Sequence, residues 1–486
     1  MADNTPIDII HSREFDETPD LDPLYQIDDQ QEPAPKDTEI KHGHDVLPDG
    51  GYGWSYGVFL SYYLSSNVFP NTSALSYAFT GGLSISCALL VAPLATHLIH
   101  LCGTRTVLNL GVFFETLSLI GSSFATQRWH IFLSQGVCFG WGMGFLFVGS
   151  VGITPQWFHR CRSLAMGINA AGSGIGGLIY SLAVGAMIPR LGLSWAFRIL
   201  GIISFVVNLV CANLMRDRNH DIGSKYHAFA FPLFKRPEFL LFLGWGVFSM
   251  LGYVALLFSV ANFSLSVGLT SHQGSIVSAL LNLGQGLGRP IVGMFSDKLG
   301  RINIATFLTF LCGLFCLVIW TFARSLGVVL FFAILVGTVA GTYWATVTPV
   351  LAEIIGLRDL PSGLSVTWLV LVPPTTVSEA IALVLRDNGS KNLVYLKVQI
   401  FTGFMYIGGA VCLWLVRGWK IGDLARRQEL SAVMPPNNKE DESPEQLGEK
   451  YHAPNGTTPP GTREAKKFEL WSPTHLLRSM VASKKV

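Results

Sequence analysis

The run Phe239–Leu265, FLLFLGWGVFSMLGYVALLFSVANFSL, contains no charged side chain and no proline. An α-helix rising 1.5 Å per residue needs about 20 such residues to cross roughly 30 Å of hydrocarbon. The run is long enough, and it is not alone. Apolar windows of similar length predict spans near 52–69, 76–98, 105–125, 130–153, 164–187 and 194–215 before it, and 273–295, 302–323, 326–349, 362–385 and 393–416 after it. Half of the 486 residues are hydrophobic and 14% are charged, so a water-solvated fold of this size would lack the polar residues to cover its surface. The 50 glycines and 12% aromatics suit closely approaching lipid-embedded helices and headgroup-level rings. The fold class that follows is an all-α polytopic membrane protein of two six-helix bundles.

The flanks set the organisation. Residues 1–48 are acidic and short of apolar runs, which predicts a disordered cytoplasmic tail, and no basic start with an apolar stretch marks a cleavable signal. The bundles are expected over 49–215 and 239–416, joined by a central cytoplasmic loop over 216–238 and followed by a polar, disordered cytoplasmic tail over 417–486. Short loops rich in Lys and Arg stay inside. Arg105, Arg160, Arg162, Arg216, Arg218, Lys225, Lys235, Arg236, Lys298, Arg301 and Arg358 fall in loops on one side, and Arg128, Arg190, Arg324, Arg386 and Lys391 on the other, which puts both termini in the cytoplasm. The sequons at Asn71 and Asn388 then lie outside, where glycans attach. The net charge of +2 is spread over loops and tails and implies no nucleic-acid partner. Eight cysteines lie in or beside apolar blocks with no CxxC pair or ligand-spaced histidine group, so neither a metal nor another cofactor is expected.

The halves echo each other at a spacing of about 195 residues, as duplicated transporter bundles do. Pro93, Gly103 and Arg105 answer Pro290, Gly300 and Arg301, and Thr154–Pro155 answers Thr348–Pro349. Gly288–Arg301, GRPIVGMFSDKLGR, resembles the loop signature of the major facilitator superfamily; Asp297 can cap or pair at a helix end, while Lys298 and Arg301 hold the turn inside. The first copy, PLATHLIHLCGTR, lacks the aspartate. Asp49-Gly50-Gly51-Tyr52-Gly53-Trp54 looks like the opening signature of the monocarboxylate porter family, and Trp157–Gly167 looks like its fifth-helix signature, with Arg160 and Arg162 at the cytoplasmic gate. Fungal members of that family are the most similar in character. The resemblance spans residues 48–418 and implies a facilitator fold with alternating access. One departure stands out. Family members place a full apolar helix between the opening signature and a segment like Ser55–Phe59, whereas here the two adjoin and the first span is short.

Charged groups inside spans cost roughly 2.5–3.5 kcal/mol each at the bilayer centre on insertion scales, so they tend to face a cavity or a partner. Arg289 lies about two turns from the inner end of the eighth span, with Gln285 and Asn282 earlier on the same face. This stripe can bind an anionic or hydrogen-bonding solute, or Arg289 can instead snorkel or anchor the loop. In proton-coupled members of the family an aspartate occupies the position of Gln285, and an amide does not titrate. Glu115, Glu353 and Glu379 are the remaining candidate proton carriers, since apolar surroundings favour the neutral form of a carboxyl group; structural pairing is the alternative for each. Gly167, Ala170, Ala171, Gly172, Gly174 and Gly177 form a small-residue track suited to close helix crossing. Tyr253, Tyr343, Trp344 and Trp368 are candidate contacts for an organic solute.

The expectation is a secondary transporter of a small organic solute (a monocarboxylate-like anion, a vitamin or a secondary metabolite) with protons as candidate co-substrate. The plasma membrane is expected ahead of internal membranes, and the lipid bilayer is the one macroscopic partner; the sequence names no accessory protein. The alternative is a non-transporting sensor or inactive relative with a truncated first helix. No P-loop, HExxH or nucleophile elbow is present, which excludes ATP-driven and common catalytic chemistry.

Overall fold

The computed structural model describes residues 74–158, 160–223, 230–386 and 394–433. The first predicted span, the opening signature Asp49, Gly50, Gly51, Gly53 and Trp54, and both sequons, Asn71 and Asn388, lie outside the described residues. The helices are α1 (Ala74–Leu90), α2 (Ala92–Cys102), α3 (Thr104–Ser122), α4 (Arg128–Trp157), α5 (Arg162–Leu191), α6 (Leu193–Leu214), α7 (Pro237–Ser266), α8 (Ser271–Leu299), α9 (Arg301–Trp320), α10 (Leu326–Ile355), α11 (Leu360–Leu385) and α12 (Leu396–Val433). Together α1 and α2 form the second predicted span, bent by 40° at Val91, where Pro93 restricts the chain. The third to twelfth predicted spans each coincide with one helix, and no strand occurs among the described residues.

One boundary needs correction. The tail was expected to begin at 417, but α12 continues to Val433. Arg417, Lys420, Arg426 and Arg427 end the apolar run without breaking the helix, because Lys and Arg are good helix formers and no proline intervenes before Pro435. The central segment also carries local order, with a helical turn at Asn219–Ile222 and a 3₁₀ turn at Phe231–Lys235.

Seven of these helices are both long and apolar enough to cross a membrane unaided, eight if the bent α1–α2 pair counts as one span. The third, fifth and eighth fall short, and in α5 and α8 the reason is composition: the glycines, serines and polar side chains through which they pack on each other lower the mean hydropathy. The two cross each other between the halves, supported by contacts of α11 with α1 and α2 and of α10 with α5. A Cβ at Gly174 would lie 2.8 Å from Gly286 Cα and 3.0 Å from the Asn282 carbonyl, while Gly167 and Gly293 press against Arg289–Pro290 and Ser163–Leu164 respectively. The small-residue track thus packs directly on α8. Gly103 (φ +82°) and Gly300 (φ +102°) make the same left-handed stop at the two copies of the repeat, which a side chain would strain.

Close crossing generates a paired prediction. Gly174→Ala should lower the melting temperature in detergent by the equivalent of about 1–3 kcal/mol of overpacking, whereas Gly176→Ala, whose added methyl meets nothing within 4 Å, should leave it unchanged or raise it slightly. Equal effects in a thermal unfolding assay would contradict the crossing.

Candidate functional site: the junction of the two halves

Arg289 is 2% exposed, and it neither snorkels nor reaches the headgroups. From α8 its guanidinium crosses to the other half, donating through Nη1 to the Ala170 carbonyl and Ser173 Oγ of α5, and through Nη2 to Gln285 Oε1 at 2.9 Å. The spacing of Gln285 and Arg289, one helical turn, is what allows the last contact. Tyr253 of α7 donates its hydroxyl to the same Gln285 oxygen at 2.8 Å. Two donors on one oxygen fix the amide's orientation and leave Nε2 buried without a hydrogen-bond partner among the described residues. Gly341, at the break in α10, admits the arginine: a Cβ there would sit 2.7 Å from Arg289 Nε. Asn282 stands nearly one turn earlier on α8, half-buried, with Oδ1 also unpartnered among the described residues.

Beside this polar bridge lies an aromatic group drawn from both halves. Trp344 of α10 stacks on Trp368 of α11 (centroids 6.0 Å apart), Phe147 of α4 meets their edges at 5.9 and 4.9 Å, and Tyr253 approaches Trp344 at 6.4 Å. The indole N–H groups of Trp344 and Trp368 are buried without partners among the described residues. Tyr343 sits at the edge of this group: its ring meets Trp344 at 5.8 Å and packs more closely on Trp245 of α7, 4.7 Å away. Phe147, Ser173 and the Ala170 carbonyl were not foreseen. Nothing in their local sequence marks them, because each gains its role from a helix 100 or more residues distant.

The three candidate carboxyl groups separate. Glu115 is enclosed in the amino-terminal half, where Asn208 of α6 donates to Oε2 at 2.7 Å and Gly142 of α4 packs on its backbone. Glu353 accepts from Arg301 Nη1 at 3.1 Å, and Arg162 and Lys420 also act on it electrostatically. Glu379 is half-buried on α11, one turn beyond Thr376, whose hydroxyl meets Ser86 of α1 at 2.6 Å across the halves. No arginine pairs with Glu379 among the described residues.

At the Arg301 end the halves are clasped. Asp297 of α8 accepts from the backbone N–H of Ser163 (3.0 Å) and Leu164 (2.8 Å), in the first turn of α5. The local N-cap of α5, Cys161, makes no side-chain cap, so the other half supplies an anion to the positive helix end and satisfies two of its orphan amides. Arg301 donates to Asp297 Oδ1 at 3.3 Å and bridges it to Glu353, and Lys420 donates to the Glu353 carbonyl at 2.7 Å. Arg162 is buried and donates to the Phe158 carbonyl, whereas Arg160 is exposed. The matching place in the first half has no carboxylate. There Asn219 of the central segment takes a hydrogen bond from Gln156 at 2.7 Å and gives one to Thr104 at 3.3 Å.

Removing the clasp has a local readout. In Asp297→Ala, hydrogen–deuterium exchange at the Ser163 and Leu164 amides should quicken by roughly tenfold or more, since each charge-assisted bond contributes about 1.5–3 kcal/mol; unchanged exchange would mean the carboxylate does not hold these amides in solution.

Comparison with known proteins agrees with this architecture. The family model described as Major Facilitator Superfamily matches residues 51–372. The "Probable transporter MCH2" of Saccharomyces cerevisiae is 35% identical over 79% of this chain and 87% of its own length. The "Fujikurins efflux protein" of Gibberella fujikuroi is 26% identical over 84% of this chain and 90% of its own. Among solved structures, the proton:xylose symporter XylE bound to 6-bromo-6-deoxy-D-glucose superposes with a TM-score of 0.60 at 14% identity, covering 76% of this chain and 94% of that one, a likeness of fold. With two helical halves meeting on a buried arginine, transporter relatives and a family match over most of its length, the chain is a multi-pass membrane transporter, not an enzyme, and belongs to the Major Facilitator Superfamily.

Proposed function

We propose that this chain is a secondary transporter for a small organic anion with a planar or aromatic portion, moved by alternating access through the junction of its halves. The observation that carries this reading is the Arg289–Gln285 bridge beside the Phe147, Tyr253, Trp344 and Trp368 rings, where a fixed positive charge and buried N–H donors of one half meet an aromatic ring of the other. Donors and a guanidinium favour an acceptor-bearing solute such as a carboxylate, and ring faces favour a flat one. The monocarboxylate porter resemblance points the same way. A secondary metabolite acid is the second candidate class, favoured by relatives such as the fujikurins efflux protein.

Rocking about the junction requires that contacts on one side break as those on the other form. The Asp297 clasp is suited to that, being polar, few in bonds and confined to one end. Glu379 is the carboxylate best placed to carry a proton, because it lies near the meeting of α11 with α1 and has no ion-pair partner among the described residues, whereas Glu353 is engaged in the clasp and Glu115 in its own bundle. The excess of Lys and Arg at the clasp end makes that end cytoplasmic, with both termini on the same side, and the plasma membrane is the expected residence.

Flux into proteoliposomes made from the purified full chain tests this. Radiolabelled aromatic and short aliphatic carboxylates should enter, and neutral sugars should not. Arg289→Ala should reduce carboxylate flux by at least about tenfold, with Arg289→Lys a poor substitute because an ammonium lacks the planar fork. Glu379→Gln should abolish stimulation by a pH gradient while leaving exchange without a gradient. Sugar flux without carboxylate flux would refute the substrate class; specific binding without any flux would favour the sensor reading.

A further inference from the structure

A groove of about 510 Å³ opens between α9 and α12, on the outside of the carboxyl-terminal half and away from the junction. Its size lies within the roughly 300–1,000 Å³ typical of small-ligand sites. Phe307 and Phe310 of α9 and Val411 and Trp414 of α12 form its walls, all of them exposed in the absence of lipid. One end is different in kind. There Arg417 donates through Nε to Asn303 Oδ1 at 2.6 Å, so the guanidinium is held across the mouth of the groove by the opposite helix. Lys420, the next cation along α12, is committed elsewhere, to the Glu353 carbonyl of the clasp.

The polarity of the groove is aligned with the membrane. Asn303 follows Arg301 by two residues, which places Arg417 at the level of the clasp and of the basic loops. From Arg417 the lining continues along α12 to Ile407, a rise of about 15 Å at 1.5 Å per residue. That is the depth of a single leaflet of a bilayer whose hydrocarbon is about 30 Å thick. Trp414 lies less than one turn inward from Arg417, where an indole suits the boundary between headgroup and chain. A cation at the mouth, an indole below it and an apolar trough one leaflet deep match one occupant in charge, polarity and length.

We propose that this groove binds one anionic phospholipid of the cytoplasmic leaflet, with its headgroup phosphate on Arg417 and an acyl chain lying between α9 and α12. Basic sites between helices on the cytoplasmic side meet a leaflet enriched in anionic lipid, so the occupant is abundant where the site faces. Asn303 acts as a positioning residue: its hold on Arg417 Nε fixes the plane in which the guanidinium meets the phosphate. Since Asn303 and Arg301 share the first turn of α9, the lipid would sit directly beside the clasp.

Native mass spectrometry of the full chain, released from mixed micelles of phosphatidylserine and phosphatidylcholine in equal amounts, tests the proposal. Wild type should retain one phosphatidylserine in preference to phosphatidylcholine. Arg417→Gln should lose that preference by about fivefold, and Asn303→Ala, which keeps the cation and releases its anchor, should weaken it in the same direction; the second variant decides the matter if the first is poorly folded. Val411→Trp, which fills the trough and keeps the charge, should reduce retention of both lipids. Equal retention of the two lipids by wild type, preference unchanged in both Arg417→Gln and Asn303→Ala, loss of the preference on adding inorganic phosphate alone, or a lipid-free dimer closed over this face would each overturn it.

Discussion

A guanidinium inside a membrane protein has no water to fall back on, so every structural feature around Arg289 answers to its need for partners. It finds them on the opposite half, at the Ala170 carbonyl and Ser173 hydroxyl, and that reach is possible only if α5 and α8 approach almost backbone to backbone. Gly167 and Gly174 make the approach possible on one helix and Gly286 and Gly293 on the other. The small-residue track and the buried charge are therefore one device. Either alone would be costly: glycine weakens a helix by roughly 1 kcal/mol relative to alanine, and a charge without partners is far more expensive. In combination the close crossing satisfies the charge, and the charge makes the crossing specific in register.

The same two helices meet again at the Asp297 clasp, and here the duplicated architecture has lost its symmetry. One turn signature keeps its aspartate and caps the fifth helix from the other half. The other carries His100 at the corresponding place, and neutral amide and hydroxyl contacts from Gln156, Asn219 and Thr104 occupy that end of the first half. A carboxylate on two helix amides is a stronger hold than an amide on a hydroxyl. Separating the halves at this end therefore concentrates its cost at the α5–α8 edge, while the turn at Asn219 is tied to the first half through Gln156 and Thr104.

How much of this was legible in the sequence differs by layer. Helix number and placement were readable for the third to twelfth spans, because a bilayer admits few alternatives to a long apolar helix. The end of α12 was not, since charge ends a span without ending a helix. Arg289 and Gln285 were legible as a pair because one turn of spacing is written in the chain, and Asp297 as a group fit to cap a helix end, although the helix it caps, α5 of the other half, was not. Phe147 and Ser173 were illegible: an aromatic or a serine in a span has many uses, and which one it takes depends on a helix from the other half. Tyr343 touches the group only through its neighbour Trp344, 5.8 Å away, and otherwise packs on Trp245.

Gln285 carries the last consequence. A carboxylate in its place would change the charge beside Arg289 whenever it gained or lost a proton, coupling solute binding to pH at the binding site itself. An amide accepts from Arg289 and Tyr253 with a charge that never varies, so the bridge itself offers no titrating group at this position. Any coupling must then act at a distance, through a group that responds to which side of the junction is open. Glu379 satisfies that condition by position: it follows the Ser86–Thr376 contact between α1 and α11 by one turn, so its surroundings change as that contact opens or closes. On the proposed reading, binding falls to the Arg289–Gln285 pair of α8 and coupling to Glu379 of α11, two different helices.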